Sequence, residues 1–72
     1  MAKATTRVQL EMPPTSYERL TTLRERVEAA SNAEVIRRAL QLYEWVVDES
    51  EKGHEVAIRM NDGDEVRYKP VF

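Results

Sequence analysis

Residues 7–13, Arg-Val-Gln-Leu-Glu-Met-Pro, alternate polar and apolar side chains strictly and end on a proline. A strand has a side-chain period of two, so Val8, Leu10 and Met12 share one face and Arg7, Gln9 and Glu11 the other. The pattern predicts a strand over about residues 6–12. Pro13-Pro14 ends it, because proline has no N–H to give to a ladder. One short strand cannot form a sheet alone, and its edge groups need a neighbour. If that neighbour is the same strand of a second copy, the polar residues of both chains line one face of a two-stranded ribbon.

The length of 72 residues allows one domain at most. A chain this short buries proportionally little surface, and many such chains depend on a disulfide, a metal or a partner subunit. There is no cysteine, and the single histidine, His54, cannot build a metal site alone. No cofactor or metal is expected, and oligomerisation is the remaining support. No apolar run reaches the length of a membrane span, and the N-terminus lacks the apolar block of a signal peptide. A cytoplasmic protein with no membrane partner is the expectation.

Net charge is −2, but it is unevenly spread. Residues 1–46 carry seven basic and six acidic side chains, a balance of +1. Residues 47–72 carry four basic and seven acidic, a balance of −3. A simple polycation is excluded. Local phosphate contacts matter more to nucleic-acid affinity than whole-chain charge, so the N-terminal two thirds keep that chemistry open.

Met1 to Thr5 reads as a flexible arm with Lys3 as its one charge. After the strand, Thr15-Ser16-Tyr17-Glu18 reads as a capping box with Thr15 as N-cap. It predicts a first helix from about Ser16 to Ala29 or Ala30. Its apolar stripe is Tyr17, Leu20, Leu23, Val27 and Ala30. Ser31-Asn32-Ala33-Glu34 is a second capping box, so the chain breaks here and a second helix runs from about Asn32 to Glu51. Val35, Ile36, Ala39, Leu40, Leu42, Tyr43, Val46 and Val47 make its stripe too wide for a lone surface helix. A dimer core would supply the extra neighbour. Lys52-Gly53 is the expected stop.

The tail reads as a β-hairpin. Residues 55–60 and 65–69 alternate on either side of Asn61-Asp62-Gly63-Asp64, a turn in which Gly63 can take positive φ. Val56, Ile58 and Met60 would line one face, joined by Val66 and Tyr68. Arg59, Arg67 and Lys69 would be solvated. The domain organisation is therefore an arm over 1–5, a strand–helix–helix unit over 6–52 and a hairpin over 53–72. The fold class is α+β, mainly α.

Two stretches carry a resemblance. The strand R-V-Q-L-E-M-P and the helix start S-N-A-E-V-I-R-R-A-L, at this separation, resemble the ribbon–helix–helix family of dimeric DNA-binding proteins over roughly residues 5–50. Glu11 in the ribbon, and Ala29 or Ala30 where the turn often has glycine, depart from the family's pattern. The resemblance implies an intertwined homodimer with paired strands and crossing second helices. Its shared core would take in Val8, Leu10, Met12, Leu20, Ile36, Leu40 and Tyr43. It also implies that Arg7, Gln9 and Glu11 touch base edges, and that the N-terminus of the second helix, with Ser31, Asn32 and Ala33, sits on a phosphate. Lys3 would follow the DNA backbone.

The chemistry of those residues is consistent. A two-stranded ribbon fits the major groove of double-stranded DNA. Arg7 can fork onto guanine O6 and N7, and Gln9 can pair with adenine N6 and N7. Glu11 can accept from cytosine N4 or pair with a basic neighbour. A helix N-terminus concentrates free N–H donors for a phosphate. For Arg37 and Arg38, phosphate contact competes with pairing to Glu34 or to an acid on the first helix. Trp45 suits the core or a subunit interface.

No enzyme constellation is present: Asp62 and Asp64 belong to a turn, with no base, nucleophile or phosphate loop beside them. The expected function is a homodimeric, sequence-specific transcriptional regulator, a repressor of bacterial or phage type, with higher assembly on DNA open. One alternative is an antitoxin with the same DNA-binding unit, whose residues 53–72 hold a protein partner. Another is an acidic dimeric adaptor that binds protein and no DNA.

Overall fold

The computed structural model describes residues 4–68. The element order is helix α1 (Pro14–Arg26), helix α2 (Asn32–Glu51), strand β1 (Val56–Arg59) and strand β2 (Glu65–Tyr68). The two strands form one antiparallel sheet. The fold is thus a small α+β arrangement of two helices followed by a hairpin.

Residues 4–13 contain neither helix nor strand. The strand expected over 6–12 is therefore not formed in the single chain. The reason is the one that governs any lone strand: without a neighbour its backbone donors and acceptors gain nothing from the ladder geometry.

α1 begins two residues earlier than the capping box suggested. Pro13 is the N-cap, with φ −57° and ψ 151°, and no side chain caps the helix. Thr15 is inside the first turn, not ahead of it. Pro14 suits the first helical position, since its fixed φ is helical and it has no N–H to leave unpaired. It also keeps Pro13 extended. The first helical bond is Tyr17 N–H to Pro13 C=O at 3.0 Å.

α1 also ends earlier, at Arg26. The Glu28 N–H bonds to Glu25 C=O at 3.2 Å and the Ala29 N–H to Arg24 C=O at 3.0 Å. These two bonds are the Schellman closure, and the residue between them must take a left-handed conformation. That residue is Glu28, at φ 54°. The position usually given to glycine is therefore filled by Glu28, and not by Ala29 or Ala30.

α2 occupies the span its capping signal predicts. Ser31 is extended, and its Oγ accepts from Glu34 N–H at 3.1 Å. At the far end, Gly53 N–H bonds to Ser50 C=O and His54 N–H to Glu49 C=O, both at 3.0 Å. This is a second Schellman closure, here with glycine at φ 82°. Glu49 also meets His54 Nδ1 at 3.0 Å and Lys52 Nζ at 3.5 Å. Hydrogen bonding with His54 and the charge of Lys52 hold its carboxyl below the usual carboxylate range.

In the hairpin, Val56 faces Tyr68 and Ile58 faces Val66 across the pair. Gly63 takes φ 93°. Met60 N–H bonds to Asp64 C=O at 2.6 Å, and Asp64 N–H to Asp62 Oδ1 at 3.0 Å. The Asp62 side chain thus closes the turn as aspartates commonly do.

Packing is sparse. α1 and β1 both lie against α2. Among the described residues only Val35 (4% exposed) and Val46 (6%) are buried. The accessible surface is 7096 Å² for a mass of 8.4 kDa. A compact monomer of that mass exposes about 4600 Å². Two buried valines cannot offset the conformational entropy of ordering a chain this long.

Candidate nucleic-acid interface

The turn between the helices is tied by one network. Arg24 Nη2 donates to Ala30 C=O at 3.2 Å. Glu34 Oε2 accepts from Ala30 N–H at 2.7 Å, and Glu34 Oε1 accepts from Arg38 Nη2 at 2.5 Å. A capping-box glutamate ordinarily reaches the N-cap N–H, here Ser31. This one reaches one residue further back. The Ala30 hydrogen bond is the main cause that holds the Glu34 carboxyl below the usual range, with Arg38 and Arg37 adding to it.

With Ser31 capping Glu34, the N–H groups of Asn32 and Ala33 have no acceptor among the described residues. Two free donors at the positive end of a 20-residue helix are suited to an anion. The Asn32 Oδ1 is buried without a hydrogen-bond partner. The role expected of Asn32 rests on its backbone N–H, which is free.

Arg38 and Arg37 diverge. Arg38 belongs to the turn network. Arg37 is exposed and makes no ion pair among the described residues. The pairing with Glu34 that the sequence offered to both arginines is made by Arg38, which lies four residues after Glu34, the spacing at which helical side chains meet.

Arg7, Gln9 and Glu11 are exposed, in the segment without regular structure. None of them makes a hydrogen bond or ion pair among the described residues. No sheet gathers the three onto one face. Lys3 lies outside the described residues.

The apolar residues expected in a shared core are mostly uncovered. Val8 is 81% exposed, Leu10 66% and Leu40 62%. Ile36 and Tyr43 are exposed too, while Met12 and Leu20 are half-buried. α2 turns Val35, Ala39 and Val46 to one side. Ile36, Leu40, Tyr43 and Val47, at spacings of four, three and four, form a second seam about a quarter-turn round. Of that seam only Val47 is half-buried. A 770 Å³ groove along α1, lined by Met12, Leu20, Leu23, Arg19 and Arg26 among others, is a further open surface.

Among the described residues no helix is long and apolar enough to cross a membrane, and no group of three or more His, Cys, Asp or Glu residues could hold a metal ion. No family model matches this chain, and neither a curated protein nor a solved structure matches it.

Proposed function

We propose that the chain is a homodimeric ribbon–helix–helix DNA-binding regulator, acting as a repressor. In this reading residues 6–12 of two copies pair antiparallel, and the α2 seams of both copies cover each other. The ribbon then presents Arg7, Gln9 and Glu11 twice over to the major groove. The free N–H groups of Asn32 and Ala33, beside the Ser31 cap, take a backbone phosphate on each side.

One observation carries the reading. Val8 and Leu10 of the alternating face and Ile36 and Leu40 of the second α2 seam are left to solvent, and among the described residues only two valines are buried. A second copy supplies the missing neighbour for both at once. Pairing of the strands also gives the polar face its only reason to be gathered.

Selection of bound duplexes from a random pool tests the reading. The recovered duplexes are expected to share a short half-site, and their binding to fall steeply with salt. Absence of salt-dependent binding to any duplex by an intact dimer would refute it and would favour the acidic adaptor instead.

A further inference from the structure

The hairpin register places four apolar side chains on one face: Val56 opposite Tyr68, and Ile58 opposite Val66. The other face is polar and internally neutralised. Arg59 meets Glu65 at 3.4 Å, and Arg67 meets Glu55 at 3.2 Å. A two-stranded hairpin with one sorted apolar face is marginal unless something covers that face. Among the described residues only its corner is covered: Val56 is half-buried, while Ile58 is 62% exposed and Val66 and Tyr68 are exposed as well.

We propose that this face is covered by the second copy of the chain within the same dimer, so that the hairpin belongs to the shared interior and not to a tail for a foreign partner. The inference rests on the dimer proposed above but not on DNA binding.

Three observations choose that occupant. The first is area. The surplus over a compact monomer is about 2500 Å² per chain. An excess of that order, doubled, lies in the range that obligate homodimers bury. The second is continuity. The α2 seam ends at half-buried Val47, and β1, which lies against α2, begins at half-buried Val56. The exposed seam of α2 and the exposed face of the hairpin thus belong to elements that touch. The third is charge. The basic residues of the strands are already paired within the chain, so the apolar face carries no charge to attract or orient a foreign partner. A shared interior requires just such a depleted face.

The test uses the full chain. Isotopically labelled and unlabelled protein are mixed, and contacts between chains are read by filtered nuclear Overhauser spectroscopy. Contacts from the Ile58 and Val66 methyls to the other chain are expected. Ile58→Asp is expected to raise the dimer dissociation constant by at least about tenfold, since it places an unpaired charge in an interior. Ile58→Ala, which keeps the hairpin apolar, should raise it less. A wild-type dimer with no inter-chain contact at Ile58 or Val66 overturns the proposal and leaves the dimer standing. So does an Ile58→Asp protein that keeps its dimer and loses only a larger assembly. A wild-type monomer at micromolar concentration overturns both readings.

Discussion

Residues 55–68 and residues 6–12 alternate polar and apolar side chains with the same period, yet the first stretch folds into a ladder and the second does not. The difference lies in the neighbour. Across Asn61–Asp64 the chain returns on itself, Gly63 takes the required positive φ, and β1 finds β2 after five intervening residues. After residue 12 the chain enters Pro13-Pro14 and α1, and none of the described residues returns to pair with it. Alternation determines which side chains share a face. It does not supply the second strand. Where the chain does not provide one, the same pattern is a demand on another molecule.

Mutations can break this contrast or sharpen it. The largest effect is expected at the α2 seam. If a second copy covers it, Leu40→Ala costs roughly 2–5 kcal/mol per protomer through lost burial and a cavity. On a lone chain with Leu40 exposed, the change stays within about 0.5 kcal/mol. Denaturant midpoints at two protein concentrations separate the cases. Next, Arg7→Ala is expected to remove about 1–3 kcal/mol of discrimination between duplexes while the dimer mass stays the same. A variant that keeps its preference, measured by competition between selected and random duplexes, would take Arg7 out of the ribbon's reading face.

Smaller effects test the parts that the chain completes by itself. Ser31→Ala removes the α2 cap and should cost about 1 kcal/mol, seen as a lower denaturant midpoint at an unchanged slope. Glu28→Gly should stabilise by roughly 0.5–1 kcal/mol, because glycine accepts the left-handed conformation that a Cβ resists. Thermal melting would show it, and a loss of stability would mean the α1 closure is not strained. Glu34 sets a pH dependence. Its carboxyl lies below its ordinary value of 4.5, so the contacts it makes are complete above that value and fade as pH falls through its lowered one. The stability of Glu34→Gln should be flatter across that acid window than that of the wild type.

The legible parts of the fold were those whose signals are local. Ser31 and Glu34 mark the start of α2, and Lys52-Gly53 its end. Asn61–Asp64 marks the hairpin. α1 was misplaced at both ends for physical reasons. Pro13-Pro14 looks like a breaker, but proline also starts helices, and that role won here. Ala29 and Ala30 extend the apolar spacing, but the helix closes at Arg26 because Glu28 accepts a conformation that carries no sequence mark. The strand over 6–12 was legible as a pattern and not as a structure, since its partner is not in the chain.

The candidate interface divides in the same way. The α2 N-terminus, with Ser31, Asn32 and Ala33, is assembled by backbone geometry, and its capping residues announce it. Arg38 is drawn into the turn by Glu34, leaving Arg37 to solvent. Asn32 contributes through its N–H, while its Oδ1 is buried. Arg7, Gln9 and Glu11 are brought together by nothing within the protomer.

Sedimentation equilibrium at micromolar concentration tests the need for a second copy most directly. A mass of twice the 8.4 kDa chain is expected, holding as the protein is diluted through the low micromolar range. A single-chain mass with the helices intact would contradict the ribbon, the shared seam and the covered hairpin together.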